Sequence, residues 1–124
     1  MTRTNRSARQ AGARFERAVA DYLAAHLDDR IDRRVKTGAK DRGDIGGVRT
    51  FRGGRVVIEC KDCATLSLGT WTREAEVERG NDDAVAGVVV HKKRGTALIG
   101  AQYVTMTVDD LVALLDGVRP STAE

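Results

Sequence analysis

Apolar residues recur at helical spacing in the N-terminal quarter of the chain. Between about Arg9 and Leu27 they occupy positions i, i+4, i+7, i+8 and i+12, namely Phe15, Val19, Tyr22, Leu23 and Leu27. This periodicity predicts an amphipathic helix with one buried stripe. Glu16 precedes Val19 by three residues, so it lies at the edge of that stripe rather than on the solvent face. Residues 1–8 are basic and lack the periodicity, which favours a flexible arm.

Three short segments after this helix have the composition of β-strands. Residues 30–36 and 44–51 are polar strands with few apolar positions, and a loop with two glycines separates them. A Gly-Gly pair then predicts a hairpin turn, and residues 55–61 form a strand that opens with consecutive aliphatic residues. We expect the last two strands to pair antiparallel, which brings Asp44 and Glu59 to the same end of a sheet.

The second half of the chain predicts two more helices and further strands. Residues 70–80 have helical spacing, and residues 87–91 are apolar on both faces, as in a buried central strand. One or two short strands are predicted within residues 96–100 and 102–106. Residues 107–110 form a capping box with Asp in place of the usual Glu, which predicts the start of a last helix. The order α-β-β-β-α-β-β-α predicts the α/β (α+β) class, with a central mixed five-stranded sheet flanked by helices.

Length and composition are typical of one folded domain. The chain has 124 residues, of which 41% are hydrophobic and 31% charged, so a wholly disordered chain is not expected. We place a single domain at residues 9–118, between the basic arm and a tail at residues 119–124. No apolar run approaches the roughly 20 residues that span a membrane, and no signal peptide is recognisable. By default we expect a cytoplasmic protein, in the host cytoplasm if a phage encodes it.

Positive charge is concentrated in two segments. Residues 1–17 carry five Arg and one Glu, and residues 30–55 carry nine Lys or Arg against three Asp, whereas residues 56–124 are net acidic. Such a distribution is typical of a polyanion binder, although a solvated basic surface would have the same composition. The candidate nucleic-acid contacts are Arg6, Arg9, Arg14, Lys36, Lys40, Arg42, Lys92 and Lys93.

The strand at residues 55–61 ends in an unusual way, because its apolar run closes with Glu-x-Lys. Side chains alternate across a strand, so Glu59 and Lys61 share one face. A carboxylate binds a hard cation such as Mg²⁺, and an adjacent lysine can hold a water or a phosphate oxygen. The alternative for the pair is a surface ion pair of little consequence. For Asp44 the alternative is a turn residue, and for Glu16 a charge on the helix surface.

These residues together resemble the PD-(D/E)xK nuclease superfamily. Glu16, in Arg-Phe-Glu-Arg, is similar to the glutamate of the family's first helix, and Asp44, in Arg-Gly-Asp-Ile, to its motif aspartate. Glu59 and Lys61, in Val-Ile-Glu-Cys-Lys, are similar to its Glu-x-Lys. Thr37 resembles a loop hydroxyl that some members place near the scissile phosphate. The most similar members are archaeal-type Holliday junction resolvases and resolvase-like proteins of bacteriophages.

The resemblance covers roughly residues 9–105 and implies a restriction-endonuclease-like fold. One departure is Gly43, which stands where many members carry Pro. The resemblance further implies that Asp44 and Glu59 bind Mg²⁺, for which Mn²⁺ should substitute, while Glu16 completes the site. Lys61 is expected to orient the attacking water or contact the phosphate. The implied activity is paired, symmetric nicking of four-way DNA junctions in recombination and repair by a homodimer.

Two other functions remain open. The first is a nuclease of the same fold that cuts flaps, mismatches or ordinary duplex, since fold does not determine substrate. The second is a non-catalytic DNA-binding module. Cys60 and Cys63 are interpreted as structural or incidental thiols, because they lack the second ligand pair of a zinc site and the helix start of a redox motif. Trp71 is interpreted as a core or dimer-interface residue rather than a base-stacking platform. His91, which ends a buried strand, is interpreted as structural rather than as a general base.

Overall fold

The computed structural model describes residues 4–36 and 38–120, which form three α-helices and a five-stranded sheet. Residues 1–3 of the expected basic arm, Thr37, and residues 121–124, which include most of the expected tail, lie outside the described residues. The elements are α1 (Asn5–His26), β1 (Asp32–Arg33), β2 (Ile45–Gly46), β3 (Val56–Lys61), α2 (Leu68–Asn81), β4 (Ala86–His91), a 3₁₀ turn (Ile99–Ala101), β5 (Tyr103–Thr105) and α3 (Val108–Asp116). The prediction of an α+β domain with a mixed sheet flanked by helices is confirmed at this level.

The sheet has the order β1-β2-β3-β4-β5, so β3 is its central strand, as expected. Strand β2 pairs antiparallel with β3, which agrees with the hairpin prediction. Strands β3 and β4 are parallel, and α2 forms the connection between them. All six residues of β4 are buried, in agreement with an apolar strand covered on both faces.

Helices cover both faces of the sheet and divide the core in two. On one face, Phe15 and Val19 of α1 and Ala113 of α3 pack with Ile58 and its neighbours in the sheet. On the other face, Trp71 and Ala75 of α2 pack against Val89. Helix α2 approaches β4 so closely that a Cβ at Gly87 would lie 2.8 Å from the Ala75 carbonyl oxygen. Because side chains alternate along β3, the face that carries Glu59 and Lys61 is the face covered by α2.

The first helix begins earlier than the sequence predicted. Thr4 caps α1, its hydroxyl accepting a hydrogen bond from the Ser7 amide at 3.0 Å, and the helix starts at Asn5. The expectation of a flexible arm over residues 1–8 is therefore wrong from Asn5 onward. A local cap starts the helix before the first buried side chain, so hydrophobic periodicity alone placed its start too late.

The polar strands are shorter than predicted. Strands β1 and β2 have two residues each. Gly47, at φ +89°, interrupts the regular strand conformation directly after β2. The hairpin then continues through the Val48 carbonyl, which accepts from the Val56 amide, and through an isolated bridge between Arg49 and Arg55. Residues 96–100 do not form a strand either, since their end belongs to the 3₁₀ turn. Of the one or two strands predicted in that region, β5 is present.

The last helix follows its predicted cap. The Thr107 hydroxyl accepts from the Asp110 amide, and the Asp110 carboxylate accepts from the Thr107 amide, which completes a capping box. Gly117 ends the helix in the left-handed conformation. None of the helices in residues 4–36 and 38–120 combines the length and apolar character needed to cross a membrane.

Candidate active site

The site is built at the end of β3, where β2 has already separated from it. The backbone of Asp44 is held by its amide, which donates to the Ile58 carbonyl at 2.9 Å. Its side chain then replaces a backbone carbonyl as the next hydrogen-bond acceptor along β3, because Asp44 Oδ2 accepts from the Cys60 amide at 2.7 Å. Asp44 is only 3% exposed. A side chain therefore replaces a strand partner here, which fixes the carboxylate beside Glu59.

Gly43 explains why proline is absent before Asp44. Its φ is +91°, which lies in the left-handed region and cannot be reached by a proline ring. A Cβ at this position would also lie 2.8 Å from Val57 Cγ1 and 3.0 Å from the Ile58 carbonyl oxygen. In this chain the entry into β2 thus requires glycine for two separate steric reasons.

Four carboxylates form a continuous chain through the site. The carboxylate of Asp44 lies close enough to those of Glu16 and Glu59 to raise the pKa of both. Glu78 on α2 likewise raises the pKa of Glu59. Glu59 is 5% exposed and Glu78 3% exposed, whereas Glu16 is half-buried at the rim. Carboxylates at this separation need protons or a cation between them.

The pKa values of these groups move apart for identifiable reasons. Burial raises the pKa of Glu59, and the neighbouring Asp44 and Glu78 raise it further. Burial also raises the pKa of Glu16, with a contribution from Asp44, and burial raises that of Glu78. Burial opposes ionisation of Asp44 too, but contacts from Glu59, the Cys60 amide and Lys36 outweigh it and lower the pKa of Asp44. Without a cation, Asp44 is the preferred anion and Glu59 the preferred proton carrier.

Cationic side chains surround the chain of carboxylates. Lys36 Nζ lies 3.2 Å from Asp44 Oδ1, and an Arg33 guanidinium nitrogen lies 3.8 Å from Glu16 Oε1. Lys61 Nζ lies 2.9 Å from Glu74 Oε2 on α2. Partial burial lowers the pKa of Lys61, but Glu74 and Glu59 outweigh this and raise it, so Lys61 remains an ammonium. Lys61 thus shares a strand face with Glu59, as predicted, but its direct partner is a residue that the sequence did not indicate.

Three of the acidic side chains form a compact group. Oxygens of Asp41, Glu59 and Glu78 all lie within 4.8 Å of one another. Glu16 and Asp44, which were predicted as ligands together with Glu59, are not members of this group. Sequence reasoning missed both Asp41 and Glu78. A signal was available for Glu78, because it follows Trp71 and Ala75 on the same helical line and that line is the buried face of α2.

The donor set fits a hard divalent cation. Mg²⁺, Mn²⁺ and Ca²⁺ bind carboxylate oxygens, and the site offers five acidic side chains with no competing thiol. Cys60 points to the opposite sheet face, where it packs against the core between the sheet and α1. Asp44 and Glu59, with Glu16 at the rim, could hold one cation as predicted. The Lys36 ammonium already neutralises Asp44 in the way that a cation would.

A basic loop opens beside the site. A cleft of about 380 Å³ is lined by residues 34–36 and 38–43, among them Lys36, Lys40 and Arg42. Lys40 and Arg42 are exposed, as are Arg6, Arg9 and Arg14 along α1. Arg9 precedes Glu16 by seven residues, so it lies on the same helix face about 10 Å along the axis. Five of the eight predicted DNA contacts are therefore exposed, and two of them, Lys40 and Arg42, line the cleft beside the site.

The other predicted basic contacts are partly engaged. Lys36 is paired with Asp44. Lys92 Nζ donates to the carbonyls of Lys93 and Thr96, so its ammonium stabilises its own turn. Lys93 Nζ lies 5.6 Å from the centre of the Tyr103 ring. For Lys92 the structural alternative is favoured over a phosphate contact.

Trp71 and His91, which were interpreted as structural, lie in structural surroundings. Trp71 is buried in the core beneath α2, and its ring centre lies 5.4 Å from that of His91. His91 Nε2 is 2.7 Å from Thr105 Oγ1, which links β4 to β5. Cys60 is half-buried and Cys63 exposed, and both are free thiols. Thr37, the predicted loop hydroxyl, lies outside the described residues.

Comparisons of the chain with family models, with curated proteins and with solved structures find no match. A functional assignment therefore depends on the geometry of the site and on the motif that the site contains.

Proposed function

We propose that the chain is a divalent-metal-dependent DNA endonuclease of the PD-(D/E)xK type, with a restriction-endonuclease-like fold, and that it resolves four-way junctions. The observation that carries the proposal is the pairing of Asp44 with Glu59 at the end of the central strand. Both carboxylates are almost fully buried, each affects the pKa of the other, and Lys61 lies on the same strand face two residues later. Burying two neighbouring acids is unfavourable unless a proton or a bound cation compensates for it, and a cation can do so for both at once.

Each residue has a role that follows from its position. Asp44 and Glu59 would hold Mg²⁺ or Mn²⁺, with Glu16 at the open side of the site. Such a cation lowers the pKa of a bound water and neutralises charge that develops on the phosphate. Lys61, kept as an ammonium on the same strand face as Glu59, would orient the attacking water or contact a phosphate oxygen. Lys36, once released from Asp44, becomes a candidate phosphate contact at the mouth of the cleft.

The basic surface next to the site supports DNA as the substrate. Arg9 and Arg14 on α1, with Lys40 and Arg42 in the loop, are exposed and lie on the elements that supply Glu16 and Asp44. Phosphate contacts of this kind supply affinity and orientation rather than sequence preference. A small domain with such contacts suits a substrate recognised by its shape, which favours a branched DNA.

A homodimer belongs to the same proposal, because symmetric resolution of a junction requires two opposed active sites. The support for it is apolar surface on β5 and α3. Exposed side chains of this region are Val104, Val108, Leu111, Val112 and Leu115. An exposed apolar patch on a soluble domain is typical of an interface, and a two-fold dimer is the commonest arrangement.

The test is cleavage of a four-way junction compared with linear duplex, flap and single-stranded DNA, with Mg²⁺ and with EDTA. We expect paired symmetric nicks in the junction that require Mg²⁺. The Asp44→Asn variant should lose cleavage and keep junction binding, whereas Asp29→Asn, at an exposed acid just after α1, should cut normally. Cleavage by Asp44→Asn at the unaltered rate would refute the site. Cutting of duplex or flaps instead of junctions would keep the nuclease and change its substrate.

A further inference from the structure

Glu78 is a buried acid whose oxygens have no hydrogen-bond partner. It is 3% exposed, and neither Oε1 nor Oε2 accepts a hydrogen bond from any described residue. Asp110, a carboxylate of similar burial on α3, shows the usual situation. It accepts from the Gly87 amide, from Thr107 and from the Arg119 guanidinium. Burying a carboxylate without such donors is unfavourable in free energy. A ligand that supplies positive charge would remove this cost at Glu78.

The oxygens around Glu78 have the spacing of a cation's ligands. Those of Asp41, Glu59 and Glu78 lie within 4.8 Å of one another. Two oxygens on opposite sides of Mg²⁺ or Ca²⁺ are separated by about 4–5 Å, twice a metal–oxygen distance of about 2.0–2.6 Å. Three carboxylates at this spacing can therefore share one ion without rearrangement of the backbone.

The loop that carries Asp41 is fixed against α2. The side-chain amide of Asn81, at the end of α2, donates to the Asp41 carbonyl at 2.8 Å. Asp41 Oδ1 accepts from the Gly43 amide at 2.9 Å, which orders the turn that leads to Asp44. The position of Asp41 opposite Glu78 thus follows from two hydrogen bonds that do not involve Glu78 itself.

The basic side chain on this sheet face does not neutralise the group. The charge of Lys61 acts to lower the pKa of Glu78, but Lys61 Nζ is paired with Glu74 Oε2 at 2.9 Å. Lys36 is paired with Asp44 rather than with this group. Among the described residues, the ion pairs leave Asp41, Glu59 and Glu78 without a direct cationic partner.

We propose a second divalent-cation site, formed by Asp41, Glu59 and Glu78, in which Glu59 bridges to the cation held by Asp44. The inference rests on the proposed function only for the first cation, which Asp44 and Glu59 would hold. The ligands of the second site follow from the burial and spacing described above. The site selects a hard ion, Mg²⁺, Mn²⁺ or Ca²⁺, because all its donors are carboxylates.

The test counts bound Mn²⁺ on the intact protein without DNA, by electron paramagnetic resonance and by calorimetry. We expect two Mn²⁺ per chain in the unaltered protein and one in Glu78→Gln, in Asp41→Asn and in Asp44→Asn. The double variant with Glu78→Gln and Asp44→Asn should bind none. Asp83→Asn is the matched control, since Asp83 is an exposed acid just beyond α2, and it should bind two.

The outcomes separate this site from the proposed function. Two ions in both Glu78→Gln and Asp41→Asn would overturn the second site, as would a single ion in the unaltered protein that only Asp44→Asn removes. Loss of one ion in Glu78→Gln and in Asp41→Asn, with no DNA cleaved by the unaltered protein, would support the second site and contradict the nuclease. Asp41→Asn guards against misfolding, because Asp41 is exposed in a loop and its substitution disturbs no core packing.

Discussion

Replacing Glu78 by Gln is expected to stabilise the metal-free protein. Glutamine has the shape of glutamate, removes a buried charge, and can donate a hydrogen bond to Glu59. A buried polar group without a partner costs about 1–3 kcal/mol, and both oxygens of Glu78 are in this situation. We therefore expect the free energy of unfolding at pH 8 to rise by about 1–3 kcal/mol. For a domain of this size, that corresponds to about 4–12 °C in Tm.

The stability gained by Glu78→Gln should increase as pH rises. Burial raises the pKa values of Glu78 and Glu59 above those of an unfolded chain, so the native state binds more protons than the unfolded state above about pH 4.3. The free energy of unfolding of the unaltered protein then falls as pH rises through this range. Glu78→Gln removes part of this dependence. Its advantage should be small at pH 5 and large at pH 8.

Thermal unfolding followed by circular dichroism in EDTA, at pH 5 and pH 8, measures both effects, with Asp83→Asn as the control. A Tm of Glu78→Gln equal to or below that of the unaltered protein at pH 8 would refute the reasoning. So would an equal gain at both pH values. Added Mn²⁺ should reverse the order by stabilising the unaltered protein more than the variant, since ions bound to the native state raise Tm by mass action.

Two further predictions concern the backbone beside Asp44 and the basic loop. Gly43→Ala should lower the free energy of unfolding by about 2–4 kcal/mol, because a positive φ and contacts with Val57 are both unfavourable. Gly53→Ala, which has a similar φ but nothing within 4 Å, should lose only about 1–2 kcal/mol in urea unfolding, and equal losses would contradict the steric argument. Arg42→Ala should reduce the salt dependence of junction binding by about one phosphate contact, measured by fluorescence anisotropy across salt concentrations. Arg52→Ala, in the hairpin at the other end of the sheet, should leave this slope unchanged, and an unchanged slope in Arg42→Ala would remove the loop from the DNA surface.

Local patterns were sufficient for the main elements. The buried stripe that includes Phe15 and Val19 predicted α1, and the aliphatic runs predicted β3 and β4 with errors of one residue at most. Alternation along β3 also placed Glu59 and Lys61 on one face. These features depend on neighbours in sequence, so the sequence contains the information that determines them. The predicted lengths of the strands at residues 30–36 and 44–51 were wrong, because glycine and polar residues leave few apolar positions that define where a strand ends.

The partners of the site residues were decided by tertiary structure. That Asp44 completes the ladder of β3 depends on where β2 begins beside β3, and no local pattern records this. Glu78 and Glu74 reach Glu59 and Lys61 because α2 packs across the parallel pair of β3 and β4. Contacts between residues 13 to 19 positions apart follow from that packing angle rather than from spacing. By itself, the sequence determined which residues carry charge and on which strand face they lie. The fold decided which charges meet, because the energy of a buried carboxylate depends on the atoms around it in space.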